Sequence, residues 1–410
     1  MIVLTIALQC AAAIGALGIA FVQLRTRRAG RIALGIAALL GGIAMMAAIA
    51  VPFLTFFVAA VLAIVAVAVL LAGGDRSART SRRLTVAALA AAIAAGAVQP
   101  FGLKVLMLPK ADALPLETAV TALLKTYPSG TWFEGIAFGP DGTMYLAANS
   151  GENYVTGDKS RVHAQVIARS PDGSERVFFR PPQGATAGVM AFGRDGTMYM
   201  TGTGAKRGVW RIAPDGTGTL FAPLPHGAWP NGIDVGPDGK LYVADSALGA
   251  IWRVDPHSGA AEKAAELEAL RARPYVALAP GANGIHFFGR DLFVTVSDNA
   301  WVLKFRLAGD GRLGAPAVVA RGIPGDDFAI DSRGALYVTS HPYNTIVRVM
   351  PDGRRSIVAG AAQHIVGATD AVFGVRAGGR DTLYVVTDGG AFSGNLRAGG
   401  TLVAVKVPRA

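Results

Sequence analysis

A polar side chain opens the same strand in several related stretches of the sequence. Residues 230–246 read as a short apolar strand, a Pro-Asp-Gly turn and a second strand, and similar stretches begin at Glu134, Asn283 and Asp326. A repeat of this kind indicates an array of similar structural units. Counted back from the turn, the opening position of six units holds Glu134, Gly188, Asn231, Asn283, Asp326 and Thr369.

Two carboxylates and two carboxamides at these positions favour a bound cation. If the six strands converge on one axis, they bury negative charge that nothing else neutralises. An all-oxygen set suits Ca²⁺, whereas Mg²⁺ keeps more water and Zn²⁺ prefers histidine or cysteine. Asp327 follows Asp326 directly and is a further candidate. The predicted metal ligands are therefore Glu134, Asn231, Asn283, Asp326 and Asp327.

Ordinary turn chemistry is the alternative explanation for these residues. Asn-Gly and Asp are common between strands, and for any single residue that explanation is the more frequent one. Four such residues at the same position of their repeats make metal binding the favoured explanation. The positions at Gly188 and Thr369 leave part of the ring open, as a catalytic metal requires.

Turn signals define the elements that must position these side chains. Proline presets φ at the first turn position and glycine accepts positive φ, so each Pro-Asp-Gly predicts a hairpin. Six units of about 40 to 55 residues, each with four short strands, predict an all-β six-bladed β-propeller. Residues 259–273 are the exception, because their Ala, Glu and Leu content predicts a short helix. The tripeptide occurs at 140–142, 171–173, 214–216, 237–239 and 351–353.

The ends of the propeller are expected to meet. The last unit shows only about three strands, including 382–387 and 401–407, while the apolar segment 119–127 precedes the first repeat. This early strand would complete the last blade and remove an exposed edge. We assign 119–410 to the propeller and 104–118 to a linker.

Four apolar runs precede the propeller and predict an all-α transmembrane segment. Each has roughly the 20 residues that a membrane-crossing helix needs. No charged residue or histidine lies deep within a run, so residues 1–103 are interpreted as a membrane anchor and not as an ion path. The predicted spans are about 1–24, 32–50, 51–73 and 84–103.

Basic residues set the predicted topology. They cluster in two loops, which are cytoplasmic by the positive-inside rule, so the N-terminus and the propeller lie outside the cytoplasm. No basic residue precedes the first apolar run, which argues against a cleaved signal peptide. We expect an integral protein of a bacterial inner membrane with its propeller on the periplasmic or extracellular side. The clusters are Arg25, Arg27, Arg28 and Arg31, and Arg76, Arg79, Arg82 and Arg83.

The charge and cysteine content exclude several classes of partner and site. Of the net charge of +11, the first 108 residues carry +8 and the remainder only +3. The high pI is therefore a topology signal, and no nucleic-acid partner is expected. Cys10 is the only cysteine, so one chain can form neither a disulfide nor a cysteine-based metal site.

The repeat motifs resemble those of the six-bladed calcium-dependent propeller hydrolases. This group includes the regucalcin/gluconolactonase (SMP-30), diisopropylfluorophosphatase, paraoxonase and strictosidine-synthase-like families. The resemblance covers roughly 119–408, and the Asp326-Asp327 pair is similar to the Asp-Asn pair of paraoxonase. It rests on Glu-Gly at 134–135, Pro-Asn-Gly-Ile at 230–233, Leu-Tyr-Val-Ala-Asp-Ser at 241–246, Asn-Gly-Ile at 283–285, and Asp326.

The resemblance implies hydrolysis of lactones or related esters. The calcium ion would polarise a carbonyl or phosphoryl oxygen, and by the same analogy Asp326 is the nucleophile or general base. The four-helix anchor lies outside the usual pattern of these soluble families. A second hypothesis is a non-catalytic propeller whose structural metal supports a ligand-binding, sensor or interaction role.

Histidines and aromatic residues near the predicted mouth are further candidates. The second strand of each hairpin returns to this mouth, which makes His341 the best-placed proton donor or acceptor, although a solvated loop role is the commoner fate. His226 is second, and His286 is interpreted as a packing residue. Trp132, Phe133 and Trp229 form either a pocket wall or core. The strand ends expected at the rim are Asn149, Ser246, Asp298, His341 and Asp388.

Overall fold

The structure of the chain is a computed structural model. Its residues form two compact units, Met1–Leu108 and Pro109–Ala410, and each unit is described by itself. The described residues are 2–25, 29–50, 55–71, 83, 85–95, 114–117, 119–151, 160–204, 206–272, 279–376, 379–391, 395 and 397–407.

The first unit is built from apolar helices. They are α1 (Ile2–Leu24), α2 (Ala29–Ala50), α3 (Thr55–Leu71) and α4 (Thr85–Ala95). Within the described residues, length and composition qualify one stretch, Ala7–Leu24, to cross a membrane, and the apolar parts of the other three helices have 10 to 17 residues. Parts of the predicted third and fourth spans lie outside the described residues.

Small residues let these helices pack closely. A Cβ atom added at Gly15 would lie 2.7 Å from Cβ of Ala88, and one added at Gly42 would lie 3.3 Å from the carbonyl oxygen of Ala13. Both glycines therefore sit where two helix backbones approach each other, which is the packing role common in helical membrane segments.

The second unit is a six-bladed β-propeller. Each blade is an antiparallel sheet of four strands in which sequential strands are neighbours, and blade 6 takes its fourth strand from the start of the unit. Listed from the inside outward, the strands are β2 (Trp132–Phe138), β3 (Met144–Ser150), β4 (His163–Arg169) and β5 (Glu175–Phe179) in blade 1; β6 (Met190–Phe192), β7 (Met198–Gly202), β8 (Gly208–Ile212) and β9 (Gly218–Pro223) in blade 2; β10 (Pro230–Val235), β11 (Leu241–Asp245), β12 (Ala250–Val254) and β13 (Ala261–Glu266) in blade 3; β14 (Ala282–Phe288), β15 (Asp291–Val296), β16 (Trp301–Arg306) and β17 (Ala317–Arg321) in blade 4; β18 (Phe328–Ile330), β19 (Leu336–Ser340), β20 (Thr345–Val349) and β21 (Arg355–Ala359) in blade 5; and β22 (Ala368–Phe373), β23 (Thr382–Thr387), β24 (Thr401–Lys406) and β1 (Val120–Thr126) in blade 6.

The early strand closes the ring as predicted. Strand β1 pairs antiparallel with β24 from Val120 opposite Lys406 to Thr126 opposite Thr401. Just before it, Glu117 forms an ion pair with Arg348 of blade 5. Both ends of the unit are thus held in the ring, which covers an edge that would otherwise be open.

The helix predicted over 259–273 is wrong. This stretch contains strand β13, which pairs with β12, followed by a single turn of 3₁₀ helix at Glu268–Leu270. Pairing with strand β12 of blade 3 and burial of Leu270 outweigh the local helix propensity of Ala, Glu and Leu, as tertiary contacts often do.

The predicted hairpin turns are confirmed. The glycines of the five Pro-Asp-Gly turns all have positive φ, between 76° and 88°. In the first of them, Asp141 Oδ1 accepts a hydrogen bond from the Thr143 amide at 3.0 Å, which closes the turn with a side chain.

Close contact between the innermost strands explains why glycine follows Glu134, Asn231 and Asn283. A Cβ atom at Gly135 would lie 2.7 Å from the carbonyl oxygen of Gly188, and one at Gly232 would lie 2.5 Å from that of Asn283. A larger residue would force adjacent blades apart. The Glu-Gly and Asn-Gly pairs are thus a requirement of the fold, and they leave the preceding side chain at the mouth.

Candidate functional site

Four of the five predicted ligands lie in one cavity at the mouth of the propeller. Glu134, Asn231, Asn283 and Asp326 all line this cavity, which has a volume of about 560 Å³. The first three lie on the inner strands of blades 1, 3 and 4, and Asp326 lies two residues before β18 of blade 5. The shared register of the blades therefore brings together side chains that are far apart in sequence.

Hydrogen bonds orient both carboxamides. Asn283 Nδ2 donates to Asp326 Oδ1 at 2.7 Å and to Ser297 Oγ at 2.9 Å, and Asn231 Nδ2 donates to Ser246 Oγ at 3.2 Å. Among the described residues, no group donates to Oδ1 of either asparagine. With the donor side engaged, the acceptor oxygen of each amide remains for a ligand.

Of the two serines in these bonds, Ser246 was expected at the rim and Ser297 was not predicted, and neither was predicted to orient an asparagine. Ser246 and Ser297 directly follow the second strands of blades 3 and 4, and each orients the asparagine of its own blade. A hydroxyl at the same place in both repeats was the signal in the sequence. Asn149, which was expected at the rim, instead holds the backbone of Ala187 through two hydrogen bonds.

His341 connects Asp326 to a second carboxylate. Its Nδ1 lies 3.0 Å from Asp326 Oδ2, and its Nε2 lies 2.9 Å from Asp388 Oδ2. The histidine begins a 3₁₀ helix, His341–Tyr343, directly after β19. Asp388 is fully buried and accepts a further hydrogen bond from the Gly390 amide. The imidazole is therefore fixed at both nitrogens.

The two carboxylates keep the His341 ring protonated. Burial opposes the charged form, but hydrogen bonds and charge from Asp326 and Asp388 outweigh it and raise the pKa of His341 to about 10. At neutral pH the side chain is an imidazolium that donates to both carboxylates. His341 was expected to be a proton donor or a proton acceptor, and this geometry supports the role of donor.

The structure does not bring Asp327 to the cavity. Its Oδ1 lies 3.0 Å from His286 Nε2 and accepts a hydrogen bond from the Phe328 amide at 2.8 Å. Adjacent residues of an extended chain point to opposite sides, so Asp326 faces the mouth and Asp327 faces the interior. The interpretation of His286 as a simple packing residue was also incomplete, because this histidine pairs with Asp327.

A second group of titratable residues surrounds His286. Potential ligand atoms of His286, Asp327 and Asp370 lie within 4.8 Å of one another, so the group could hold a metal ion. Asp234 Oδ2 lies 3.8 Å from His286 Nδ1, and the buried Asp327 Oδ2 has no hydrogen-bond partner within the described part of the chain. One imidazole thus faces three carboxylates.

Charge interactions inside this group shift the pKa values of its members. Burial opposes protonation of His286, yet the carboxylates of Asp327 and Asp234 raise its pKa well above the usual value. Burial and the charge of Asp327 raise the pKa of Asp370, and burial likewise raises that of Asp327. The group therefore favours any species that adds positive charge.

Two of the three predicted aromatic residues form the cavity wall. Trp132 and Trp229 line the cavity. Trp229 is 43% exposed. Phe133 is fully buried in the core between blades 6 and 1. His226 and Thr369 are not among the lining residues, whereas Arg207, which the sequence did not single out, is one of them.

Comparison with known proteins identifies the fold. No protein-family model matches the sequence, and no curated protein is significantly similar to it. Among solved structures, the chain is similar to a gluconolactonase from Xanthomonas campestris, with 19% identity, a TM-score of 0.50, and coverage of 73% of this chain and 93% of that one.

Two further solved structures share this architecture. A calcium-binding regucalcin from Agrobacterium tumefaciens has 19% identity and a TM-score of 0.50, and the match covers 72% of this chain and 97% of that one. An auxiliary nutrient binding protein from Bacteroides thetaiotaomicron has 13% identity and a TM-score of 0.50, with coverage of 72% and 76%. The structural neighbours thus include gluconolactonase- and regucalcin-like six-bladed propellers, and at these identities the likeness establishes the fold.

Proposed function

We propose that the protein is a membrane-anchored, Ca²⁺-dependent hydrolase of lactones or related esters. The observation that carries this proposal is the convergence of Glu134, Asn231, Asn283 and Asp326 in one cavity, with the acceptor oxygens of both amides left for a ligand. The structural neighbours that are named as a gluconolactonase and as a calcium-binding regucalcin support the same chemistry.

The donor set at the mouth fits calcium. Two carboxylates and two amide oxygens, without histidine nitrogen or thiolate, are the ligands that Ca²⁺ accepts in flexible geometry. We assign Glu134, Asn231, Asn283 and Asp326 as the ligands and leave Asp327 out, because its side chain bonds to His286. When bound, Ca²⁺ supplies a Lewis acid that polarises the carbonyl of the substrate.

The neighbouring residues supply proton chemistry. His341 carries a proton between Asp326 and Asp388, and this proton can pass to the alkoxide oxygen that leaves when the ester bond breaks. Asp388 does not line the cavity, so we assign it as a positioning residue that fixes the imidazole. Asp326 serves as the base or nucleophile at the carbonyl, by analogy with the propeller hydrolases.

An assay with the purified full-length protein tests this function. We expect turnover of at least one member of a panel of aliphatic lactones, sugar lactones and aryl esters, its loss with a chelator, and its recovery with Ca²⁺. Asp326→Asn abolishes turnover while the circular dichroism spectrum is retained. If calcium changes only the melting temperature and no substrate is turned over, the propeller is a non-catalytic binding module.

The membrane anchor is the second part of the proposal. We assign four spans to residues 1–103, a linker to 104–118 and the propeller to 119–410, with the propeller outside the cytoplasm of a bacterial inner membrane. Support comes from the apolar stretch Ala7–Leu24 and from the two arginine clusters on the same predicted side. The substrate is then a small molecule of the periplasm or the cell exterior.

A further inference from the structure

Blade 2 differs from its neighbours at the mouth of the propeller. Blades 1, 3, 4 and 5 place a carboxylate or an amide in the cavity, whereas blade 2 places Gly188 there. Both glycines of this blade that face its own residues are closely packed, because a Cβ atom at Gly188 would lie 2.6 Å from Thr201 Oγ1 and one at Gly202 would lie 2.8 Å from Trp210 Nε1. The lining residues on the inner part of blade 2 are all glycine or threonine, and we call this side of the cavity the blade 2 recess; they are Thr186, Gly188, Thr201, Gly202, Thr203 and Gly204.

Apolar side chains from the adjacent blades wall this recess. Trp132 of blade 1 and Trp229 of blade 3 each lie two residues before a candidate ligand, and both line the cavity together with Ala228 and Pro230. Trp229 is 43% exposed, although its indole has a large apolar surface. Trp132 is buried, with 3% exposure, so Trp229 is the exposed aromatic side chain of this wall. Such a side chain beside a concave surface is typical of a site that binds the apolar part of a ligand.

A single arginine lies at the outer end of the recess. Arg207 is in the loop between β7 and β8, is half-buried and lines the cavity. Its Nη1 donates to the carbonyl oxygen of Ala228 at 3.1 Å, which ties the guanidinium to the segment that leads into blade 3. Four other N–H donors of the guanidinium are not used by this bond.

No carboxylate of the described residues pairs with Arg207. Two other half-buried arginines of the propeller have such partners, since Arg169 lies 2.8 Å from Glu175 and Arg253 lies 3.0 Å from Asp238. Arg290 also binds only backbone carbonyl oxygens, but it does not line the cavity. An arginine with a fixed orientation, spare donors and a concave apolar approach is the arrangement that recognises a carboxylate or a phosphate group.

We propose that the blade 2 recess is the subsite for the part of the substrate distant from the reacting carbonyl, and that Arg207 binds an oxyanion there. Arg207 directly precedes strand β8, which is two strands outward from the inner strand of blade 2. Two interstrand spacings correspond to about 10 Å. The substrate class is therefore a lactone or ester with an apolar chain that ends in a carboxylate or a phosphate group. This inference rests on the proposed function, which places the reacting carbonyl of the substrate at the candidate ligands.

Binding of matched lactams tests the subsite, because an amide in place of the ester is not hydrolysed. The probes are a δ-lactam with a carboxyhexyl chain, its neutral primary amide and the corresponding phosphonohexyl compound, titrated calorimetrically into the full-length protein with Ca²⁺ present. We expect at least one anionic lactam to bind about 10- to 100-fold more tightly than the neutral amide, the range of a charge-assisted hydrogen bond. The tighter of the two anionic probes identifies the oxyanion.

Arginine variants decide whether Arg207 is responsible. Arg207→Gln is expected to remove the preference for the anionic lactam and Arg207→Lys to keep part of it. Arg180→Gln, which removes an exposed arginine of blade 1, should keep all of it. Absence of binding, equal binding of charged and neutral probes by the unaltered protein, or a preference that survives in Arg207→Gln would overturn the inference. Arg207-dependent binding without turnover of any ester would instead contradict only the proposed reaction.

Discussion

The His341 side chain is held between carboxylates from two blades. Asp326 precedes the inner strand of blade 5, and Asp388 directly follows β23 of blade 6. Because both ring nitrogens donate to carboxylates, the imidazolium cannot rotate without losing an ion pair. At the residue scale, the candidate site therefore consists of the four candidate metal ligands and of His341, which pairs with one of them, Asp326.

Glu134→Gln should weaken calcium binding while preserving the fold. The change keeps the size of the side chain and removes one of two negative charges from the ligand ring, and calcium affinity depends on the number of charged ligands. We expect the Kd for Ca²⁺, measured by calorimetry, to rise by about 10-fold or more. Asp310→Asn, on an exposed turn, is the matched control, and an unchanged Kd in Glu134→Gln would contradict the ligand assignment.

Asp388→Asn should lower kcat and shift the pH profile without loss of the metal. The charge of Asp388 helps to raise the pKa of His341, so its removal lowers that pKa. Since the protonated ring is the acid, activity should disappear at a lower pH on the alkaline side than in the unaltered protein. We expect kcat to fall about 100-fold or more, with calcium binding retained. A variant with reduced kcat but the original alkaline limb would indicate a purely structural role for Asp388.

A carboxylate links the first and last blades of the ring. Glu175, the first residue of β5 in blade 1, accepts hydrogen bonds from Lys125 at 2.6 Å and from Tyr127 at 2.7 Å. Lys125 belongs to the closing strand β1 of blade 6, and Arg169 of blade 1 is 2.8 Å from the same carboxylate. At the element scale, closure therefore depends on this network in addition to the pairing of β1 with β24.

Glu175→Gln should destabilise the propeller in a pH-dependent way. Burial alone would raise the pKa of Glu175, but its bonds with Lys125, Tyr127 and Arg169 outweigh burial and lower it from 4.5. A carboxyl with a lowered pKa stabilises the fold above its unfolded-state pKa, and this contribution is lost as the pH falls through the folded-state pKa. We expect the melting temperature of the variant to be lower by about 2 to 6 °C at neutral pH.

The same difference should shrink as the pH falls below 4.5. Thermal unfolding followed by tryptophan fluorescence measures it. Glu262→Gln is the control, because Glu262 is 69% exposed and its pair with Arg253 lies at the surface, where such pairs contribute little. Equal effects of the two substitutions, or a constant difference at all pH values, would contradict a closing role for Glu175.

The molecule divides its charge between two units with different surroundings. Residues 1–108 hold most of the excess positive charge, chiefly in two arginine clusters of the sequence, whereas the remainder of the chain is nearly balanced. This distribution favours a membrane-bound first unit and a propeller in water. At the scale of the whole molecule, the proposed membrane anchor implies that the orientation of the helices sets the compartment that the cavity faces.

Reporter fusions test this orientation. An alkaline phosphatase fused after Ala410 should be active, because this enzyme matures only outside the cytoplasm, whereas a fusion after Gly74 in the second arginine cluster region should be inactive. Replacement of the four arginines of that cluster by glutamine should reduce the contrast, since these residues orient the helices. Activity of the Gly74 fusion together with an inactive Ala410 fusion would reverse the proposed topology.

The sequence by itself determined the blades and the register of the candidate ligands. Turn residues such as those at 237–239 fix the conformation of their own turn. The number of residues between each turn and Glu134 or Asn231 is likewise a property of a single hairpin. Local rules therefore sufficed for the six repeats, and the strand missing from the last repeat indicated that residues 119–127 complete blade 6.

Only the tertiary structure decided which side chains meet. Asp327 lies against His286, Asp388 contacts His341, and Arg207 lines the cavity. Each of these contacts joins different blades, or a loop and the central mouth, so it depends on how the blades pack around the axis. Residues 261–266 became a strand for the same reason, because pairing with β12 contributes more than local helix propensity.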